Sequence, residues 1–324
     1  MTLKRRDFIP IAAIGVASGY ASLRPKDKPQ PLPDGPPGKS PVAIIRAQSY
    51  SDDLVSRMYA GIRECGLDVR GKSVLLKPNL VEFDAATVIN TDANVVAAAY
   101  EVFQKLGAAK VIIGEGPGHR RDTLDLADDA KYRATVSRFE DNFVDLNRDD
   151  VSLVKNFGQE TEFYFANTVL AADLIVSLAK MKTHHWAGVT LSMKNLFGLV
   201  PGSVYGWPKN KLHYIGIPES VVALSRFFRN TFAIVDGVVG MEGNGPIQGT
   251  PRPVGALVMG RDLLAVDATC CRIMGVNPEK VEYLRQAADL GHVKPAGIDQ
   301  RGETIASLQT NFQLIPAFSS LGTS

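Results

Sequence analysis

The chain has 324 residues, of which 45% are hydrophobic and 22% charged, a composition typical of a globular protein with one large or two modest domains. Its formal net charge is +2 at pH 7, and residues 1–39 carry seven basic against three acidic side chains, which leaves the rest of the chain close to neutral. A near-neutral body lacks the basic surface that nucleic-acid binding requires, so we expect no nucleic-acid partner.

The N-terminus has the pattern of an export signal. Arg5 and Arg6 precede a mildly apolar run over residues 9–16, and small residues follow up to residue 21. This order predicts a twin-arginine signal over residues 1–21, recognised by the twin-arginine translocation machinery, and a periplasmic or otherwise exported protein. A basic, disordered N-terminus is the alternative. The apolar run is shorter than the ~20 residues that span a bilayer, so we expect no stable membrane span.

The chain beyond the signal is predicted to form a linker and one α/β domain. Residues 22–40 are rich in proline and charge, which is typical of a linker. Residues 41–324 form the domain, with two lobes divided near residues 150–170 as an alternative. The first half alternates strands with helices, over residues 41–47, 52–65, 73–80, 91–106 and 110–114. This alternation predicts a mainly parallel sheet with helices on both faces, a Rossmann-like three-layer architecture.

The second half of the domain continues this alternation with longer loops. Strands are predicted over residues 173–179, 232–235 and 254–259, and helices over residues 219–230, 263–274 and 278–290. Two further segments, residues 201–218 and 240–253, are rich in glycine and proline and are predicted to be loops. Loops at the ends of a rigid sheet often carry function, so either segment is a candidate cover for a ligand site.

Polar side chains follow the ends of the predicted strands. Lys180, Lys182 and His184 alternate after the strand over residues 173–179, and this alternation predicts that they share one strand face. The carboxyl ends of parallel strands lie at one edge of a sheet, where ligands bind in open α/β folds. We therefore expect the polar residues that follow the other strands to converge with them on one site.

Three roles are assigned to these residues from their chemistry. The predicted catalytic residues are His184, Lys182 and Lys194. The predicted anion-binding residues are Lys77, Asn79, Lys180, Asn195 and Gly116. A divalent metal is the predicted cofactor, held by Glu115, Asp236 and Asp267, with His184 or His185 as a further ligand. Asp267 has a structural alternative, because a charge in an apolar helix is costly unless it pairs with a lysine.

The cysteines do not predict a disulfide framework or a metal cluster. The chain has three, Cys65, Cys270 and Cys271, and three thiolates cannot by themselves ligate a four-cysteine iron–sulfur cluster. Cys270 and Cys271 lie in a predicted buried helix, where we expect them to be small, buried thiols that pack in the core. A redox pair formed by these two residues is the alternative, and burial of both sulfur atoms would oppose it.

The motifs together resemble the DUF362 family, a domain of unknown function. The resemblance covers about residues 41–275, and it implies that the residues at the strand ends form one site. Some members of that family carry a ferredoxin-like iron–sulfur module, whose cysteines this chain lacks. The matching segments are Lys77-Pro78-Asn79, Thr91-Asp92, Gly114-Glu115-Gly116, Lys180-Met181-Lys182-Thr183-His184, Lys194-Asn195-Leu196-Phe197-Gly198, Asp236-Gly237 with the loop over residues 243–246, and residues 262–267.

Three functions are compatible with this pattern. The leading hypothesis is an exported enzyme that binds a small anionic molecule at the strand ends and depends on a metal or another cofactor. The first alternative is a periplasmic ligand-binding or cofactor-delivery protein that performs no chemistry in the same pocket. The second alternative is a redox protein that uses Cys270 and Cys271. The sequence names neither the substrate nor the reaction, and it leaves open whether the protein is an enzyme.

Overall fold

The computed structural model describes residues 32–120 and 122–323. The predicted signal over residues 1–21 lies outside the described residues, so export remains a prediction. The chain from Pro33 onward forms one compact unit. The described end of the predicted linker belongs to this unit. Asp34 pairs with Lys294 at 2.7 Å, and a ring nitrogen of His292 hydrogen-bonds the Pro36 carbonyl at 2.9 Å.

The described part of the chain contains eleven strands, which we number in chain order. They are β1 Ser40–Arg46, β2 Ser73–Pro78, β3 Lys110–Glu115, β4 Phe143–Asp145, β5 Val151–Phe157, β6 Glu160–Ala166, β7 Leu174–His184, β8 Gly188–Thr190, β9 Thr231–Asn244, β10 Gln248–Gly260 and β11 Ile298–Gly302.

Thirteen α-helices connect and cover these strands in the same described residues. They are α1 Leu54–Glu64, α2 Ala93–Lys105, α3 Thr123–Asp129, α4 Tyr132–Thr135, α5 Phe139–Asn142, α6 Asn167–Leu170, α7 Ser192–Asn195, α8 Gly202–Tyr205, α9 Asn210–Ile215, α10 Ile217–Phe227, α11 Leu263–Ile273, α12 Glu282–Gln286 and α13 Ile305–Leu308.

The strands build one large mixed sheet in which parallel pairs predominate. Its order is β11-β1-β10-β9-β7-β2-β3-β4, with β8 paired to β7. Only β10 and β8 run against the common direction, so the carboxyl ends of β2, β3, β7 and β9 lie at one edge. The predicted α/β class with a mainly parallel sheet is confirmed, and this edge is where the predicted site residues were expected to meet.

The two faces of the sheet bury different helices. Val74, Leu76 and Val176 belong to a core cluster that also contains the apolar faces of α1 and α2. On the opposite face, the Ser177 hydroxyl donates to the Ser192 carbonyl at the start of α7, and α11 packs against β9 and β10. Alternate residues of each buried strand therefore pack into two different cores, one on each face of the sheet. This explains why the sequences of these strands are continuously apolar and do not alternate with polar residues.

The long hairpin of β9 and β10 differs from the sequence-based prediction. Residues 240–253 were predicted to be a loop, but the two strands continue to Asn244 and resume at Gln248. β1 pairs with β10 only from Ala256 onward, so Pro251 and Pro253 lie where β10 has a partner on one side alone. Proline is tolerated there because its missing N–H is not needed by a second neighbour.

Two other segments gain structure that the sequence pattern did not indicate. Residues 201–218 contain the short helices α8 and α9 instead of a continuous loop. Residues 151–166, near the predicted division into lobes, form the separate hairpin of β5 and β6. Its Phe157 and Phe165 rings contact Phe227 of α10 at centroid distances of 5.7 and 5.4 Å, so this hairpin shares an aromatic core with the main unit.

Candidate functional site

A cavity of about 310 Å³ lies at the carboxyl ends of β2, β3 and β7. Nine of the predicted site residues line it: Lys77, Asn79, Glu115, Gly116, Lys182, His184, His185, Lys194 and Asn195. A fourth lysine, Lys209, enters from the segment between α8 and α9. We name this space the lysine cavity, after Lys77, Lys182, Lys194 and Lys209.

A buried ion pair forms one wall of the lysine cavity. Lys77 Nζ lies 2.6 Å from a Glu115 carboxylate oxygen and donates to Asn195 Oδ1 at 2.9 Å; both charged side chains are only 1% exposed. The same Glu115 oxygen accepts the Leu80 N–H at 3.1 Å. Burial lowers the pKa of Lys77, and the neighbouring carboxylate opposes that shift. The pair is neutral and fully hydrogen-bonded, which makes it part of the framework of the cavity.

Glycine is required next to this ion pair. A Cβ atom at Gly198 would overlap Glu115 Oε1 and Lys77 Cε and Nζ. A Cβ atom at Gly116 would lie 2.7 Å from Asn147 Oδ1 and 2.9 Å from the Gly198 carbonyl oxygen. The glycines of both predicted motifs therefore let the backbone approach buried charged groups closely.

Lys182 has a different environment, although it lines the same cavity. Its Nζ donates to Asn79 Oδ1 at 2.7 Å, to the Ile89 carbonyl at 2.8 Å and, more weakly, to the Pro246 carbonyl at 3.4 Å. Within residues 32–120 and 122–323 it has no carboxylate partner. Burial, followed by the charges of nearby lysines, lowers the pKa of Lys182 well below its usual value. An anion in the cavity would oppose this shift, because a nearby negative charge favours the charged form of the lysine.

Lys194 projects into the cavity without any hydrogen-bonding partner in the described part of the chain. It is partly exposed, and its Nζ lies 3.5 Å from the centroid of the Phe197 ring. Burial and the nearby charge of Lys77 lower the pKa of Lys194 to about 7. The amine is thus divided between its charged and neutral forms near neutral pH.

Lys209 is almost fully buried at the same cavity. Its Nζ donates to Asn147 Oδ1 and to the Val200 carbonyl, and its side chain is 2% exposed. Burial lowers the pKa of Lys209 to about 7, against the opposing effect of Glu115. The four lysines of the cavity therefore share a single carboxylate among its lining residues.

Four histidines line the cavity, and three of them, His184, His185 and His213, differ in the backbone groups that their Nδ1 atoms face. His184 Nδ1 accepts the backbone N–H groups of Trp186 at 3.0 Å and Ala187 at 3.3 Å, which assigns its proton to Nε2. Nδ1 of His185 instead faces the Gly245 carbonyl at 2.7 Å, and Nδ1 of His213 faces the Lys209 carbonyl at 3.2 Å. Neutral His184 therefore offers a donor, whereas neutral His185 and His213 offer acceptors.

Burial and surrounding charge keep His184 neutral. The pKa of its ring is lowered well below the usual value, first by burial and then by Lys194. Its Nδ1 is already occupied by two amides, and it contacts no carboxylate among the described residues. His184 is accordingly placed to donate a hydrogen bond from Nε2 and not to take up a proton.

Lys180 and Asp236 lie outside the lysine cavity. Lys180 Nζ is 2.9 Å from an Asp236 oxygen and 2.7 Å from the Tyr50 hydroxyl, and Tyr50 donates to Asp236 at 3.1 Å. The pairing of β7 with β9 shifts register between Lys180 and Lys182, which separates the surroundings of the two lysines. Lys180 and Tyr50 line a second cavity of about 320 Å³, which we name the Tyr50 cavity.

Asp267 lines neither cavity and has a structural role. Its carboxylate accepts the backbone N–H and hydroxyl of Ser192, at 2.8 and 2.5 Å, and the N–H of Met193 at 3.1 Å. Burial raises the pKa of Asp267 to about 7, although these hydrogen bonds oppose the shift. The carboxylate fixes the first turn of α7, the helix that carries Lys194.

The three predicted metal ligands are dispersed in the fold. Glu115 lies at the lysine cavity, Asp236 pairs with Lys180, and Asp267 is buried against α7. No group of three or more histidine, cysteine, aspartate or glutamate residues that suits a metal ion is found among the described residues. Two of the three carboxylates are already neutralised by lysines, so these donors do not fit a divalent ion held by the protein.

The cysteine pair is buried away from solvent. Cys270 and Cys271 are free thiols with 0% exposure, and burial raises the pKa of both well above the usual value. Reactive cysteines are partly exposed and have a lowered pKa. The hypothesis of a redox protein using these two residues is therefore not supported.

Trp186, Lys209 and His213 are among the lining residues that the sequence analysis did not assign to the site. Trp186 is 61% exposed at the cavity, and its ring contacts those of His185 and His213 at centroid distances of 4.6 and 5.8 Å. Lys209 and His213 belong to the segment 201–218, which was predicted to cover the site without any residue being assigned. The cluster of basic residues between its prolines was the available signal.

The fold and the lysine cavity define an α/β protein with a cationic candidate site at the carboxyl ends of parallel strands. The family model described as "Domain of unknown function (DUF362)" matches residues 74–272, and the chain belongs to this family. Among the described residues, no helix is both long and apolar enough to cross a membrane.

Individual relatives are distant. The chain is 26% identical over 260 residues to the Thylakoid-associated protein sll1697 of Synechocystis sp., covering 77% of this chain and 79% of that protein. The lactate racemase apoprotein from Thermoanaerobacterium thermosaccharolyticum aligns with a TM-score of 0.46 and 16% identity, and a protein from Thermotoga maritima aligns with a TM-score of 0.37 and 14% identity. Each alignment covers 76% of this chain but only 59% and 60% of those chains.

Proposed function

We propose that this protein is an enzyme that binds a small anionic substrate in the lysine cavity. The observation that carries this proposal is the excess of cationic groups, with four lysines and one carboxylate among the lining residues. Glu115 is paired with Lys77, which leaves the charges of Lys182, Lys194 and Lys209 unmatched within the described chain. Burying such charges is costly, and a bound anion would offset that cost.

In this proposal, several lining residues share the binding of the anion. Lys182 provides an ammonium group whose position is fixed by hydrogen bonds, and His184 provides a neutral Nε2–H donor. Lys194 provides an amine that hydrogen-bonds no residue in the described chain. Asn79 accepts from Lys182 through Oδ1, so its amide nitrogen is available to a ligand. Lys77 and Asn195 bond each other and support the wall.

Lys194 is the group best suited to chemistry on the bound anion. Its pKa of about 7 matches what a proton-transferring group needs near neutral pH. His185 and His213 line the same cavity, and each has its Nδ1 within hydrogen-bond distance of a backbone carbonyl. We derive no step through a metal ion, because the predicted carboxylate ligands do not converge.

A ligand-binding or cofactor-delivery protein is the second candidate function. It is favoured by the surroundings of His184, whose Nδ1 is held by backbone amides and not oriented by a carboxylate in the described chain. Enzymes that use histidine as a base commonly orient it through such a third group. The same cavity would then hold an anion without changing it.

Export by the twin-arginine route is proposed for either function. It rests on the paired arginines and the apolar run of residues 1–21. Replacing Arg5 and Arg6 together by lysine in the full chain should retain the protein in the cytoplasm, as measured by cell fractionation. Unchanged export of that variant would contradict the route.

Calorimetric titration with phosphate, oxalate, malonate and pyruvate tests anion binding. Lys182→Met should weaken the best of these anions by about 10- to 100-fold, the effect of losing one charge-assisted hydrogen bond. Lys155→Met is the matched control, because this lysine is exposed on β5 and lies outside the cavity. The proposal fails if no anion binds, or if both variants weaken binding equally.

Turnover separates the two candidate functions. The best-binding anion is incubated with the protein in deuterated water and followed by NMR. Loss of its carbon-bound proton signals or appearance of a product supports an enzyme. An anion recovered unchanged after tight binding supports the second candidate.

A further inference from the structure

Lys194 is the one lysine of the lysine cavity whose amine no described residue holds. Lys77, Lys182 and Lys209 each donate to at least two oxygen atoms. Lys194 Nζ has only the face of the Phe197 ring, at 3.5 Å from its centroid. Its lone pair, once the proton has left, is therefore free to attack a ligand.

The backbone that carries Lys194 is fixed from both sides. Asp267 accepts the N–H groups of Ser192 and Met193 just before it. Directly after it, Asn195 donates to the Lys77 carbonyl and to the Ser177 hydroxyl, both at 3.0 Å. A free amine on a rigid support is what covalent catalysis by lysine needs, because the nucleophile must be positioned without being occupied.

The surroundings of Lys194 also increase the fraction of neutral amine. Burial and the charge of Lys77 lower its pKa to about 7. The Phe197 face opposes this, because an aromatic face stabilises an ammonium ion. Desolvation next to another cationic group is an established way of activating a lysine for imine formation.

We propose that Lys194 forms an imine with a carbonyl-bearing small anion, an aldehyde or keto acid, held in the lysine cavity. This inference rests on the proposed anion-binding function and names the substrate class of that site. Lys182 and the Nε2–H of His184 hold the carboxylate end, and Lys194 faces the carbonyl carbon.

Imine formation requires only the Lys194 amine and the carbonyl group of the bound anion, and it releases one water molecule. The neutral amine adds to the carbonyl carbon, forming a C–N bond and a carbinolamine. The carbonyl oxygen then leaves as water, taking both amine hydrogens, and a C=N bond joins the substrate to Lys194. Protonation of the imine nitrogen makes the adjacent C–H more acidic, and His185, which lines the same cavity, can receive the proton of that C–H bond.

Reductive trapping tests the inference. The full protein is incubated with pyruvate and sodium cyanoborohydride, which reduces an imine to a stable secondary amine, and adducts are located by peptide mass spectrometry. We expect one adduct per chain, on Lys194, that is suppressed by excess malonate, an anion without a ketone. Acetone, a neutral ketone of similar size, should label Lys194 at least about tenfold more slowly, because it lacks the charge that Lys182 binds.

Two variants and one binding measurement complete the test. Lys194→Arg should lose the adduct, whereas Lys155→Arg, which alters an exposed lysine outside the cavity, should keep it. Calorimetry with malonate on the wild-type protein reports anion binding separately. Malonate binding with Lys194 unlabelled, or labelled no faster than exposed lysines, overturns the imine and leaves the proposed function standing. Absence of binding by both malonate and pyruvate overturns both.

Discussion

Lys180 and Lys182 lie two residues apart on β7 and are both about 1% to 2% exposed, yet their surroundings differ. Lys180 pairs with Asp236 at 2.9 Å and contacts the Tyr50 hydroxyl. Lys182 contacts only neutral oxygen atoms in the described chain, mainly those of Asn79 and Ile89. Lys180 thus has a counter-ion, and Lys182 has none among residues 32–120 and 122–323.

This difference separates a structural charge from one available to a ligand. Removing one partner of a buried ion pair leaves the other charge buried and unpaired, which is strongly destabilising. A buried lysine without a carboxylate costs stability in the free protein, and the cost is relieved when an anion binds. The two lysines should therefore respond in opposite ways when each is replaced.

The largest effect on stability is expected at Lys180. Lys180→Met should lower the free energy of unfolding by about 3–5 kcal/mol, because Asp236 loses its counter-ion. Urea denaturation measures this. The double variant Lys180→Met/Asp236→Leu should recover most of the loss, and a single variant as stable as the wild type would contradict the comparison.

Replacing Lys182 should change stability little and anion affinity strongly. Lys182→Met removes an unmatched charge and leaves the Asn79 and Ile89 oxygens without a donor, so the two effects offset to within about 1 kcal/mol of unfolding free energy. The 10- to 100-fold loss of anion affinity proposed above should accompany this small change. Denaturation and calorimetry on one preparation compare them, and a loss of stability as large as that of Lys180→Met would refute the distinction.

Gly198→Ala tests the packing around a third buried lysine, Lys77, which pairs with Glu115. The added Cβ overlaps the Lys77–Glu115 pair, and this overpacking should cost about 1–3 kcal/mol of unfolding free energy. Gly118→Ala is the matched control at the same cavity, because its nearest contact would be an ordinary 3.7 Å to Lys209 Cγ. We expect a change within about 0.5 kcal/mol there. Equal effects in urea denaturation would show that the pair is not tightly packed.

The smallest effect is a dependence of anion affinity on pH. The pKa of Lys194 is about 7 in the free protein, and a bound anion favours the charged amine and so raises that pKa in the complex. The complex then takes up a proton. Affinity should be highest below about pH 7 and fall by up to about tenfold per pH unit as the pH rises above it. Calorimetry in buffers of different ionisation enthalpy measures the proton uptake. Lys194→Arg should reduce this dependence to the part that Lys209, whose pKa is also about 7, contributes.

The strand-and-helix framework was largely predictable because its signals are local. The apolar runs of β2, β3 and β7 are continuous, and the helices between them end at glycines such as Gly66 and Gly107. The extension of β9 and β10 was not predictable, because Pro251 and Pro253 read as loop residues. Only the pairing shows that this part of β10 has one neighbour, where proline is permitted.

The candidate site was predictable in its position but not in its pairing. Strand direction alone brings Lys77, Glu115 and Lys182 to one edge of the sheet. The different surroundings of Lys180 and Lys182 depend on the register shift between β7 and β9. The spacing of residues along the sequence does not reveal this shift. The contribution of Lys209 depends on how α8 and α9 fold back over the cavity.

The sequence by itself determined the α/β class, the family and the presence of several lysines at the strand ends, because hydrophobic periodicity and short motifs are properties of neighbouring residues. The tertiary structure decided which lysine meets which carboxylate. Asp236 neutralises Lys180, Glu115 neutralises Lys77, and Asp267 holds the first turn of α7. The electrostatic energy of a buried charge depends on atoms within a few ångströms, and those atoms come from residues far apart along the chain.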